Sequence, residues 1–253
     1  MEKNLLEVCV DSFASARAAC NAGADRLELC ANLVIGGTTP SDVLLTQILQ
    51  AFSVPVNVLI RPRFGDFLYT EEEFAQMEQE IRRVCQLGAN GVVIGALLPS
   101  GELDMAHLRR LCRAAEGKEI TLHRAFDMAR DLPAAMEQAI DLGITTILTS
   151  GGCESAVAGK EILKRLQHQA AGRIRLMAGA GVHADNIQEL FCATGITAYH
   201  GSCRKGNLES AMVYRNEKVN MGLPGFSEYT KMQTDPEEVA KCVQAVRSLT
   251  QNS

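Results

Sequence analysis

Residues 5–30 read LLEVCVDSFASARAACNAGADRLELC. Leu5 to Val10 is an apolar run of strand length in which Leu6, Val8 and Val10 alternate with Glu7 and Cys9. Ser12 follows as a helix-capping oxygen, and a small-residue stretch of helical length runs to Ala22-Gly23-Ala24-Asp25. A glycine there suits the left-handed residue that ends a helix before the chain turns back into a sheet. Arg26 to Cys30 then repeats the strand pattern. Strand, helix and strand joined by short turns form a βαβ unit, whose strands are parallel.

The same pattern recurs along the chain. Further strands are predicted at Val56 to Arg61, Gly91 to Gly95, Ile120 to Arg124, Thr146 to Ser150, Ile174 to Ala178 and Thr197 to His200, eight in all. Helices are expected from near Ser12, Ser41, Thr70, Asp104, Asp131, Ala156, His183 and Asp235. Leu87-Gly88-Ala89-Asn90, Leu142-Gly143-Ile144-Thr145 and Thr194-Gly195-Ile196-Thr197 echo the first helix end. Eight alternating units with right-handed crossovers favour closure into a single (β/α)8 TIM barrel over residues 1–253. An open doubly wound sheet is the alternative, but Cys9-Val10-Asp11-Ser12 stands where its glycine fingerprint would follow the first strand. Residues 201–234, between strand eight and the last helix, form an extended segment containing Gly222-Leu223-Pro224-Gly225, expected as a lid or a subunit contact.

Bulk properties narrow the function. The chain has 253 residues, 47% of them hydrophobic, with a net charge of −5 and no basic run, so neither nucleic acid nor an anionic membrane is an expected partner. Glu2 and Glu7 interrupt the amino terminus before any signal-length apolar stretch, and no run reaches the roughly 18 residues of a membrane span. The expectation is a soluble cytoplasmic protein. Nine cysteines, an odd number with no Cys-x-x-Cys pair, fit reduced thiols rather than a disulfide framework.

Barrel strands point alternate residues inward. With the apolar face of each strand against the helices, Glu7, Cys9, Glu28 and Cys30 face the interior, and Arg26 shares the face of Glu28. A carboxylate there needs a partner, a ligand or a proton. Two readings stand: internal ion pairs with Arg26, Arg61 or Arg124, or a site. The strand ends add Arg61-Pro62-Arg63, His123-Arg124 with Asp127, and His200, all on the face where barrel enzymes keep their chemistry. His107, His168 and His183 belong to helices and are expected at the surface. Gly179 and Gly181 after strand seven, with Gly201 and Ser202 after strand eight, could offer amides to an anion, and Ser150-Gly151 could widen that cradle. They could equally serve only tight turns. Loop three, Arg63 to Tyr69, has the length and aromatic content of a pocket rim. Cys9 and Cys30 on adjacent strands could together hold Cu(I), or be two small buried hydrophobes.

The blocks Leu6-Glu7-Val8-Cys9-Val10-Asp11-Ser12, Gly23-Ala24-Asp25-Arg26-Leu27-Glu28-Leu29-Cys30, Gly36-Gly37-Thr38-Thr39-Pro40-Ser41, Ile60-Arg61-Pro62-Arg63, Thr121-Leu122-His123-Arg124-Ala125-Phe126-Asp127 and Leu148-Thr149-Ser150-Gly151-Gly152 closely resemble the CutC family, in its bacterial form. The resemblance implies a TIM barrel, a cytoplasmic homo-oligomer with a dimer as the first expectation, and a role in copper homeostasis. It also implies Cys9 and Cys30 as Cu(I) ligands. The residues suggest a second function: an enzyme for a small anionic or phosphorylated metabolite. Glu7, Glu28, Arg61, His123, Arg124, Asp127 and His200 would be its acid, base and charge-stabilising groups, and the glycine loops its anion holders. A third reading is an oligomeric scaffold that docks through residues 201–234.

Overall fold

Leu6, Val8 and Val10 point out of β1 (Leu5–Val10) into the layer beneath the helices, and this sets the pattern for the whole sheet. The computed structural model describes residues 4–206, 208–216, 218–219, 221–222 and 225–249. The strands that follow are β2 (Arg26–Leu29), β3 (Val56–Leu59), β4 (Gly91–Ile94), β5 (Glu119–Leu122), β6 (Thr146–Thr149), β7 (Arg175–Ala178) and β8 (Ala198–Gly201). Each pairs in parallel with the next, and β8 returns to β1 to close the barrel. The predicted (β/α)8 TIM barrel is the fold.

Among the described residues the α-helices are α1 (Phe13–Asn21), α2 (Asp42–Ala51), α3 (Glu71–Leu87), α4 (Met105–Ala114), α5 (Leu132–Asp141), α6 (Lys160–Ala170), α7 (Ala184–Thr194) and α8 (Pro236–Arg247). Their starts are chemical. Ser12, Ser41, Thr70, Asp104, Asp131 and Asp235 each accept a first-turn amide, and Thr70 forms a full capping box with Glu73. Gly88 (φ 108°) and Gly195 (φ 73°) end α3 and α7 in the left-handed conformation that their place ahead of a strand predicts.

The main core lies between the outer face of the sheet and the helices, where Leu27, Leu29, Val58, Ile81, Leu108 and Leu163 are fully buried. Burying each such side chain contributes about 1.5–3 kcal/mol. Two smaller apolar clusters fill the barrel itself: Cys9, Cys30, Leu59 and Val93 in one, Leu148, Met177 and Ala198 in the other.

Three local expectations are corrected. Helix α6 begins at Lys160 rather than near Ala156. A Cβ on Gly159 would lie 1.9 Å from the Ser150 carbonyl, so the chain packs against the β6 turn there before it coils. β3 and β5 stop at Leu59 and Leu122, leaving Arg61, His123 and Arg124 just beyond the sheet. The segment 201–234 is not structureless: β9 (Leu208–Glu209) pairs antiparallel with β10 (Thr230–Lys231), and Arg204 bridges to Thr234. Arg204 also donates to Asp11 at 2.7 Å, tying the segment to the end of β1. Leu223 and Pro224 of its glycine-proline turn lie outside the described residues. Among the described residues, no helix is long and apolar enough to cross a membrane.

Candidate functional site

Parity places the inward residues. Glu7 and Cys9 leave β1 on the inner face, paired in register with Arg26 and Glu28 of β2, while His200 of β8 sits opposite Glu7 on the other side. Arg26 Nε donates to Glu7 Oε2 at 2.5 Å and its Nη1 to Glu119 at 3.1 Å. His200 Nδ1 meets Glu7 Oε1 at 2.9 Å, and its Nε2 stands 3.5 Å from Glu28. The ion-pair reading of the inward carboxylates therefore holds for Glu7. Glu28 has a different environment.

The charges divide accordingly. Burial works against an ionised Glu7, yet Arg26 and His200 hold its carboxyl below the ordinary range. Burial pushes Glu28 upward, and the neighbouring Glu7 adds to that against the pull of His200. His200 is opposed by burial, but Cys9, Glu28 and Glu7 together raise it well above a free imidazole. Burial and Glu28 likewise drive the Cys30 thiol well up, leaving it a neutral thiol 3.5 Å from the Glu28 carboxyl.

A sulfur of Cys9, a carboxylate oxygen of Glu28 and a ring nitrogen of His200 lie within 4.8 Å of one another, close enough to share a metal ion. Cys30 stands outside this trio. Cys9, which shares a buried cluster with Cys30, thus also has an imidazole and a carboxyl within reach, a donor set of one thiol, one imidazole and one carboxyl. Glu7 fixes the His200 ring through Nδ1, the arrangement by which a carboxylate orients a metal-ligating histidine.

This trio forms one wall of a cavity of about 150 Å³ at the mouth of the barrel. Arg61, Phe67, His123 and Arg124 line the opposite side, with Leu33, Leu59 and Leu148 between. Phe67 of loop three packs on His123 with ring centroids 4.9 Å apart and lies under the Arg61 guanidinium at 5.1 Å, so that loop does supply the rim. Gly95 makes room for His123, since a Cβ there would stand 2.4 Å from the imidazole. A wider cleft of about 630 Å³ opens between Asp11, Asn32 and residues 226–233. Its Asp11 and Arg204 already pair with each other.

Asp127 and the glycine loops fall elsewhere. Asp127 accepts from the Ser150 and Gly152 amides at 3.0 Å and from the Ser150 hydroxyl, while Gly151 donates to Thr149 Oγ1. The Ser150-Gly151 amides are therefore committed to an internal carboxylate and an internal hydroxyl. Arg124 donates to Asp127 at 2.8 Å while keeping its place on the cavity wall. Gly179, Gly181, Gly201 and Ser202 do not line the cavity. Gly179 has a packing reason, because a Cβ there would meet Leu148 at 2.5 Å. His168 and His183 are at the surface as expected, whereas His107 is half-buried, stacked on Phe74 at 3.8 Å and held by Asp104 and Glu71. The reading of the strands missed Glu119 and Asn57. Both sit on inward positions that the period of two, counted back from His123 and Arg61, would have found.

Comparison with known proteins agrees with this architecture. Residues 4–205 match the CutC family. A family protein CutC of Bacteroides thetaiotaomicron is 44% identical over 98% of this chain and 100% of its own length. A human protein named copper homeostasis protein cutC homolog is 44% identical over 93% of this chain and 86% of its own. A solved CutC structure from Streptococcus agalactiae superposes with a TM-score of 0.75 at 33% identity, covering 79% of this chain and 98% of that one. A barrel of this topology that carries these blocks of sequence along nearly the whole length of its relatives belongs to the CutC family, whose assigned role is copper homeostasis.

Proposed function

We propose that this protein handles copper in the cytoplasm by taking Cu(I) as cargo at Cys9 and His200. The observation that carries the reading is the convergence of the Cys9, Glu28 and His200 donor atoms within 4.8 Å. Cu(I) is soft and prefers a thiolate and an imidazole, which gives Cys9 and His200 the ligand roles and leaves Glu28 as a charge partner beside them. Glu7 would orient the imidazole, and Cys30, a neutral thiol against Glu28, would act as a reserve sulfur rather than a first ligand. The copper homeostasis name of the human relative supports the same reading.

Anaerobic titration of the reduced protein against a competing Cu(I) chelator tests it. About one ion per chain is expected, with Cys9→Ser and His200→Asn each weakening binding at least ~10-fold and Cys30→Ser weakening it less. Equal, weak binding by all four proteins sinks the proposal.

A second reading is favoured by a separate observation. The wall of Arg61, Phe67 and His123 is not needed by a copper carrier, and it suits an enzyme acting on a small anionic metabolite. Residues 201–234 are proposed as the contact with a second copy of the chain. Their support is the exposure of Val213 (99%), Met221 (82%) and Tyr214 (76%) in one segment.

A further inference from the structure

Two residues that line the cavity each carry a buried donor without a hydrogen-bond partner. Arg61 is 7% exposed; its Nη1 donates to the Gly37 carbonyl at 3.0 Å and its Nη2 to the Gly65 carbonyl at 2.7 Å, but its Nε bonds to nothing. His123 is 6% exposed and accepts the Ala125 amide at Nδ1, at 3.1 Å, which puts its proton on Nε2. That Nε2 is also without a partner. Burial, helped by Arg61, holds the ring down at about 3, so near neutral pH it is an uncharged N–H donor. A buried donor left without an acceptor is unfavourable, and an acceptor placed between the two would satisfy both.

Charge selects the acceptor. Among the described residues the Arg61 guanidinium meets two carbonyls, the Phe67 ring and the Tyr69 hydroxyl but no carboxylate in an ion pair, whereas Arg124 is matched by Asp127. The wall therefore carries one uncompensated positive charge, which suits a monoanion. A phosphate dianion would bring a second negative charge towards the Glu28 carboxyl across the same cavity. Leu59, Leu148 and the Phe67 ring leave an apolar place for carbon.

We infer that Arg61 Nε and His123 Nε2 bind the carboxylate of a small organic acid, with its carbon end against Phe67, Leu59 and Leu148. This rests on the second reading above, and it requires neither copper nor turnover.

Metal-free protein is titrated with propanoate, with the isosteric but uncharged propanamide, and with inorganic phosphate, following the His123 ring nitrogens by NMR and the heat by calorimetry. Propanoate is expected to move the Nε2 signal saturably, with propanamide and phosphate at least ~10-fold weaker. Arg61→Gln should abolish the shift. Because that change also frees the Gly37 and Gly65 carbonyls, His123→Phe, which keeps a ring in place, gives a second test with at least ~10-fold weaker binding expected by calorimetry. An unmoved Nε2 signal, equal binding of propanoate and propanamide, or tighter binding of phosphate overturns the inference. A protein that binds propanoate but transforms no organic acid would sink the enzyme reading and leave this site standing.

Discussion

Glu7 and Arg26 meet inside the barrel at 2.5 Å, with their side chains 0% and 4% exposed. They are register partners on adjacent strands, and closure brings His200 to the other oxygen of the same carboxylate. Removing one partner of a buried pair strands the other's charge, which costs more than the pair itself contributes. Glu7→Gln should therefore destabilise the protein by about 3 kcal/mol, the low end for such pairs because Glu119 still reaches Arg26. Urea unfolding of Glu7→Gln beside the double variant Glu7→Leu with Arg26→Met checks this. The double variant should lose less, and an equal loss would show that the charge imbalance is not the cause.

His123 predicts an acid sensitivity. Its folded value of about 3 lies below the 6.5 of a free imidazole, through burial first and Arg61 second. The unfolded chain therefore takes up the proton first, so this residue's contribution falls as pH drops from about 6.5 towards about 3. At full extent the loss is on the order of 5 kcal/mol. Urea midpoints at pH 7 and pH 4.5 should differ less in His123→Asn than in wild type, and equal differences would remove His123 as the source.

Asp127 should prove structural in its effect. Its carboxylate gathers the Ser150 and Gly152 amides, the Ser150 and Thr149 hydroxyls and the Arg124 guanidinium. Asp127→Asn removes the charge that these donors share and is expected to cost about 2–3 kcal/mol. Amide exchange at Ser150 and Gly152 should accelerate with it; unchanged exchange would mean that the turn holds without the carboxylate.

If residues 201–234 join two chains, charge placed on their exposed apolar positions should separate them. Val213→Asp with Met221→Asp is expected to weaken the dimer at least ~10-fold while the barrel stays folded. Sedimentation across a concentration series reads this directly, and a wild type that sediments as a monomer at every concentration refutes the contact.

Much of the barrel was legible because its signals are local. Alternation in Leu6, Val8 and Val10, capping oxygens at Ser12, Thr70 and Asp235, and glycines at helix ends each act within a few residues of themselves. The glycine-loop reading shows where such signals stop. Ser150-Gly151 looks like an anion cradle in sequence, but Asp127, more than twenty residues earlier, has already filled it. Gly179 looks like part of the same cradle, and its lack of a side chain accommodates Leu148 instead. Which group enters a turn depends on the neighbouring strand's register, and no local pattern encodes that.

By itself the sequence determined eight βα units, the inward parity of Glu7, Cys9, Glu28 and Cys30, and the strand-end positions of Arg61, His123 and His200. Only the tertiary structure decided their pairings: Glu7 with Arg26 and His200, Cys9 with Glu28 and His200, and Arg61 beside His123 on one cavity wall. The reason is closure. Hydrogen bonding between the first and last strands sets Glu7 beside His200, 193 residues away, and the energy of a buried charge depends on that neighbour rather than on its place in the chain.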